Sequence, residues 1–176
     1  MTNSRYNHLR VHLNHLFFLA LLLWPGDHLR PWAFALVLVG EALRTWSAGL
    51  LRKNKALATA GPYRFTRNPL YVGSLISGLG AALTTGNDWL LLAIPVLFLP
   101  LYHGMIKREE RGLLEMYGDA YEKYMGQVPR YIGWRRGPAD TGGFSWRTAL
   151  VNQEHHTWLA LLIFVCLLAL RVHLWR

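Results

Sequence analysis

Charge is what this sequence has least of. Only 16% of its 176 residues are charged, against roughly 25% in an average soluble protein, and only ten are acidic. Cysteine is nearly absent. The lone Cys166 excludes a disulfide scaffold and any zinc site built on cysteines. No internal repeat, low-complexity tract or separate domain interrupts the chain, so it reads as one domain over residues 1–176. A hydrophobic content of 52% excludes a disordered or collagen-like polymer. A soluble basic protein and a membrane protein with basic loops remain, because the formal net charge is +9.

The positions of the charges separate the two. Residues 32–51, 69–85, 89–106 and 157–172 are long and nearly charge-free. A helix rising about 1.5 Å per residue needs roughly 20 residues, and at least about 17, to cross a bilayer core. These four meet or approach that length. Residues 11–24 form a shorter fifth candidate, diluted by His12, Asn14 and His15, which fits a tilted span, a half-inserted segment or an interfacial helix. Arg5 and Arg10 before this run resemble a signal peptide. The bulky Leu23-Trp24-Pro25-Gly26 offers no small-residue cleavage site, so a retained span is expected.

Lys and Arg alternate between the intervening loops. With a cytoplasmic N-terminus, fifteen of them fall on the cytoplasmic side and three on the other. This positive-inside bias accounts for the net charge without nucleic acid. The expected fold is all-α, a multi-pass bundle of about five spans. The two basic loops, 52–68 and 107–156, are the places with enough polar chemistry for a site.

In the first loop, Gly61-Pro62 marks a turn and Asn68-Pro69 a helix start, with Asn68 as N-cap and Pro69 at the first helical position. Capping alone explains those two residues. Tyr63, Arg67 and Tyr71 around the same helix start equally suit an anion-binding site, and both readings stay open. Gly73, Ser77 and Gly80 follow at helical spacing, which points to close approach of another helix. The Gly78-Leu79-Gly80 fragment lacks a preceding strand and is no dinucleotide fingerprint. In the second loop the fourth helix is expected to run on through Lys107, Glu109, Glu110 and Tyr117 to a stop at Gly118. Asp119 and Glu122 fit a capping box for a short helix through Met125. Glu109 and Glu110 point about 100° apart, so one of them readily faces the bundle.

These blocks resemble the isoprenylcysteine carboxyl methyltransferases and the related phospholipid methyltransferases. The matching residues are Leu57-Ala-Thr59-Ala-Gly61-Pro-Tyr63-Arg-Phe-Thr-Arg67-Asn68-Pro69-Leu-Tyr71-Val-Gly73, then Glu109-Glu110, Leu113, Tyr117-Gly118-Asp-Ala-Tyr121-Glu-Lys-Tyr124 and Val128-Pro129-Arg130. The resemblance covers about residues 40–132. It implies S-adenosylmethionine as methyl donor, held in a cytoplasm-facing pocket formed with short cytoplasmic helices, and a lipophilic acceptor arriving from the membrane. Carried over by position, the donor contacts fall on Lys55, Ala56, Leu57, Ala58, Tyr63, Arg67, Asn68, Pro69, Leu70 and Tyr71. Glu109 falls at the acceptor end. Two departures stand out. Asn68 replaces the histidine of the family's Arg-His-Pro, and Met105 stands where the isoprenylcysteine enzymes place an arginine that would orient an anionic acceptor. Lys107, Arg108 and His103 are possible substitutes.

The donor's sulfonium and ammonium call for aromatic or carboxylate groups, and its carboxylate calls for hydrogen-bond donors. Tyr63, Tyr71, Glu109, the Asn68 helix start and nearby basic residues supply that set. A carboxylate acceptor needs no base; an amine or hydroxyl acceptor does, with Glu109 or Glu110 as candidates. Carboxylate O-methylation is the favoured expectation, with lipid amine N-methylation beside it. Glu41 and Arg44, one turn apart inside a span, are either functional or a structural pair. His8, His12, His15 and the His155-His156 pair read as interfacial histidines, and no metal is expected. The rival readings are an NADPH-dependent membrane reductase of the sterol-reductase type and a non-catalytic lipid-binding scaffold. Membrane lipids are the expected surroundings, in a bacterial inner membrane, with no nucleic acid and no obligate protein partner.

Overall fold

A computed structural model of the chain describes residues 28–52, 55–133, 137 and 143–174. The expected N-terminal span over 11–24 and His8, His12 and His15 lie outside the described residues. Every described element is helical: α1 (Phe34–Leu50), α2 (Pro69–Thr85), α3 (Asp88–Tyr117), α4 (Asp119–Gln127), α5 (Trp146–Val151) and α6 (Glu154–Leu174), with 3-10 turns at Pro31–Ala33 and Gly61–Arg64. Two helical stretches, Pro31–Leu50 and Asp88–Tyr117, are long and apolar enough to cross a membrane; Pro69–Thr84 and Glu154–Leu170 are apolar but shorter.

α1 and α2 form the tightest pair. Small residues make this possible, as their spacing predicts. A Cβ on Gly40 would lie 2.6 Å from the Gly73 carbonyl oxygen, and one on Gly80 2.7 Å from the Val37 nitrogen. Ser77 donates to the Val37 carbonyl at 3.3 Å. Contacts run from Arg30 with Thr84 through Gly40 with Gly73 to Arg44 with Leu70, so the helices are antiparallel. Between apolar helices in lipid, such packing is held by van der Waals contact and hydrogen bonds, since solvent offers little hydrophobic drive.

Gly86, in the left-handed region at φ 70°, ends α2. Asn87 then caps α3, its side chain accepting from the Leu90 N–H at 3.0 Å. This tight turn lays α3 antiparallel on α2, with Ala81, Ala82, Leu90, Ile94 and Val37 in one core joined by Phe164 of α6. Trp89, Leu92, Val96 and Leu99 recur on one outward face of α3 and stay exposed. An apolar stripe of that kind suits contact with lipid.

α3 has 30 residues, about 45 Å at the helical rise, so it continues without a break past Ile106 to Tyr117, as its sequence predicts. Gly118, at φ 51°, ends it. The expected capping box is absent: Gly118 is the N-cap of α4, Asp119 is its first residue, and no side chain caps it. Asn68 also departs from expectation. It occupies the N-cap position of α2 with Pro69 at N1, but its side chain makes no capping bond. A buried partner on α3 takes that side chain instead.

Candidate functional site

The end of the bundle where α1 finishes and α2 begins also holds the outer half of α3. Here the two polar segments meet. The Arg67 N–H donates to the Pro129 carbonyl at 2.9 Å, and the Thr66 hydroxyl to the Arg130 carbonyl at 3.2 Å. The Tyr124 hydroxyl donates to the Tyr63 carbonyl at 2.7 Å. Tyr121, Tyr124 and Val128 form a small buried core with Leu57 and Leu113 packed against it. The α4 tyrosines therefore act as the floor of the 57–68 loop, a role that interfacial placement alone does not explain.

Glu110 is the pin of this junction. It is buried, and its Oε2 accepts from Arg130 Nε at 2.9 Å and Nη2 at 2.6 Å. Its Oε1 lies 3.2 Å from Arg67 Nη2 and accepts from Asn68 Nδ2 at 3.4 Å. Asn68 Nδ2 also donates to the Arg130 carbonyl at 3.0 Å. One carboxylate thus ties the start of α2, the loop before it and the segment after α4. The hydrogen bond to Glu110 raises the Arg130 pKa above its ordinary value.

Glu109, one residue earlier, points elsewhere, as the 100° step requires. It is exposed and accepts from the Tyr71 hydroxyl at 2.7 Å. Tyr71 stacks edge-on against Tyr102, with centroids 4.9 Å apart. The adjacent acids of α3 thus divide into a buried tether and an accessible carboxylate.

Tyr63 sits on the Gly61–Arg64 turn with 6% of its surface exposed. Its hydroxyl is buried and has no hydrogen-bond partner, and Arg67 Nε is in the same condition. Leaving such a group unpaired costs about 1–3 kcal/mol. Both groups are hydrogen-bond donors, and they lie four residues apart on one short loop. Burial pushes the Tyr63 and Tyr124 hydroxyls up in pKa, and Tyr121 up to about 12.

The other expected site residues lie as follows. Lys55 and Ala56 are exposed, Leu57 and Ala58 half-buried, Pro69 buried, and Leu70 half-buried with its carbonyl facing Arg44 Nη1 at 3.4 Å. Met105 is half-buried on α3. His103, one of the possible substitutes for the missing arginine, has its Nδ1 2.7 Å from the Tyr131 hydroxyl. Three features are not predicted by the sequence: the Tyr63 orphan, the Arg130 clamp, and Tyr124 as a loop anchor. The tyrosine spacing on α4 was the available signal for the last.

A family model described as phospholipid methyltransferase matches residues 30–120, which holds both halves of this junction except the α4 anchor and Arg130. The chain belongs to the phospholipid methyltransferase family. It is 33% identical over 107 residues to the protein-S-isoprenylcysteine O-methyltransferase of Schizosaccharomyces pombe, covering 61% of this chain and 44% of that one. It is 34% identical over 74 residues to methanethiol S-methyltransferase 1 of Bradyrhizobium diazoefficiens, covering 42% and 25%. It is 31% identical over 81 residues to the cobalt-zinc-cadmium resistance protein CzcN of Cupriavidus metallidurans, covering 46% and 37%. The chain spans less than half the length of each of these curated relatives. No solved structure matches it. Family and apolar helices together make this member of the phospholipid methyltransferase family a membrane protein.

Proposed function

We propose that the chain is a multi-pass membrane methyltransferase that uses S-adenosylmethionine, with its site facing the cytoplasm of a bacterial inner membrane. The observation that carries this reading is the junction itself. Glu110, Arg130 and Asn68 hold the 63–71 segment against α3, so Tyr63, Arg67, Tyr71 and Glu109 gather at one end of the bundle.

These residues fit the donor. The orphaned Tyr63 hydroxyl and Arg67 Nε are hydrogen-bond donors suited to its carboxylate and other acceptors. Tyr71 and Glu109 suit its cations. Residues 55–58, Tyr63 and 67–71 would hold it. S-adenosylmethionine supplies an electrophilic methyl group when bound. The protein contributes position and a water-poor pocket, which together can lower the barrier by several kcal/mol.

The acceptor proposed is a lipophilic carboxylate, with a lipid amine as the second choice. Lys107, Arg108 and Arg111 surround Glu109 in sequence on the outer half of α3 and lie exposed, giving the acceptor side a positive field that attracts an anion. A carboxylate arrives already ionised. For an amine, Glu109 would accept the proton at its free carboxylate oxygen. Glu110, bound by two guanidinium groups, holds the fold in either case.

Thermal-shift titration of detergent-purified protein tests the reading. S-adenosylmethionine raises the melting temperature and NADPH does not. Stabilisation by NADPH alone favours a reductase, and no response to either favours a scaffold.

A further inference from the structure

A cavity of about 540 Å³, wide open to the surface on one side, lies between α1 and the α5–α6 region, lined by Leu38, Glu41, Trp46, Phe144, Trp146 and Trp158 among others. None of the residues assigned to methyl transfer lines it. Its size is within the range of small-molecule pockets.

The wall is built deliberately from rings. Phe144 seats on Gly49, where any side chain would collide with the ring. Phe144 and Trp146 meet edge to face at 4.9 Å, and Trp146 and Trp158 at 6.2 Å. Trp158 is fixed by donating its indole N–H to the Thr45 hydroxyl at 3.0 Å. Trp46 completes the wall, with its indole against Gly61.

Among these rings lies one carboxylate. Glu41 is 9% exposed, and its Oε1 is buried with no hydrogen-bond partner. Arg44 satisfies it only in part: Nη1 and Nη2 are committed elsewhere, and Nε, which makes no hydrogen bond either, faces Glu41 as an ion pair. Its Nη2 donates to Glu154 at 2.9 and 3.2 Å and to Thr157 at 3.3 Å, and its Nη1 donates to Ser74 and Leu70. Glu41 Oε2 is 3.7 Å from Arg44 Nε, an ion pair without a hydrogen bond. Among the described residues, two carboxylates thus share one guanidinium at the edge of an aromatic cavity.

We infer that this cavity binds an alkylammonium ion, its cationic head held by Glu41 and the rings of Trp46, Trp146 and Trp158, its alkyl chain along Leu38. Aromatic faces attract quaternary and protonated amines through the ring quadrupole, most strongly where water is excluded. A metal cation fits poorly, since calcium wants six to eight oxygen ligands and rings supply none. A neutral lipid would leave the Glu41 oxygen unmatched. The site stands independently of the methyl-transfer reading.

Tryptophan fluorescence of the full chain in a non-ionic maltoside detergent tests this, titrated with hexyltrimethylammonium chloride and, in parallel, 1-heptanol. The wild type shows a saturable change with the cation and none with the alcohol. Glu41→Gln, which keeps the shape and removes the charge, weakens the cation at least tenfold. Trp146→Leu, at a ring that is 63% exposed, weakens it severalfold. Circular dichroism and melting confirm that both variants fold, and the second variant decides the matter if the first does not. Equal responses to cation and alcohol, no saturable response, or undiminished affinity in the folded variants would overturn the inference.

Discussion

The guanidinium of Arg130 grips the buried carboxylate of Glu110 through two hydrogen bonds, 2.6 and 2.9 Å long, across twenty residues of sequence. This clamp joins the segment after α4 to the outer half of α3, and Asn68 and Arg67 join it from the other loop. Neighbouring Glu109 takes no part and meets Tyr71 instead.

The two acids should therefore fail differently. Glu110→Ala strands Arg67 and Arg130 without their anion, and breaking a buried pair from one side costs about 3–5 kcal/mol. The expected outcome is a sharply lower melting temperature, measured in detergent. Glu109→Gln should melt within a degree or two of the wild type yet lose methyl transfer, followed with methyl-tritiated donor.

Tyr63 gives a prediction of opposite sign in its two states. Tyr63→Phe removes a buried hydroxyl that has no partner, so the ligand-free protein should become no less stable, and up to about 1–3 kcal/mol more so. The same change should shrink the stabilisation by S-adenosylmethionine. Paired melting curves with and without the donor check both halves.

The tyrosine floor predicts an alkaline limit. In the unfolded chain these hydroxyls ionise near 10.0, whereas burial holds Tyr121 protonated up to about 12 and pushes Tyr63 and Tyr124 up as well. A raised folded pKa of an acid means that the fold keeps protons which the unfolded chain releases. Stability is therefore full below pH 10 and falls as pH rises from 10 through 12. Unfolding midpoints at pH 9, 10.5 and 12 should decline in that order, and Tyr124→Phe should flatten the decline while losing its bond to the Tyr63 carbonyl.

Two glycines in apolar helices should respond oppositely to alanine. Gly40→Ala drives a methyl group to within 2.6 Å of backbone on α2, so α1 and α2 must separate, at about 1–3 kcal/mol. Gly112 in α3 has nothing within 4 Å of an added Cβ, so Gly112→Ala should stabilise by about 0.5–1 kcal/mol. Melting of the two variants side by side checks the pair.

Local rules were legible in the sequence. Pro69 starts α2, Gly118 stops α3, the acids sit on the charged C-terminal half of one continuous helix, and the Gly73–Ser77–Gly80 stripe marks a close helix contact. Rules that depend on partners far along the chain were not. Asn68 looks like a cap until Glu110, forty-two residues away, competes for its amide. Arg44 and Glu41 do form the local pair their spacing suggests, but nothing in the sequence shows that Glu154, 110 residues from Arg44, shares the same guanidinium. Phe144, Trp146 and α5 carry little periodicity in a helix of six residues, so the aromatic cavity emerges only from the fold.

The central claim is that residues 55–71 and 107–130 together hold the methyl donor. Photo-crosslinking of methyl-tritiated S-adenosylmethionine to the purified protein, followed by peptide mapping, tests it most directly. The account predicts label on peptides from those two segments, with loss of label in Tyr63→Ala. Label confined to α1 or α6, or undiminished in that variant, would contradict it.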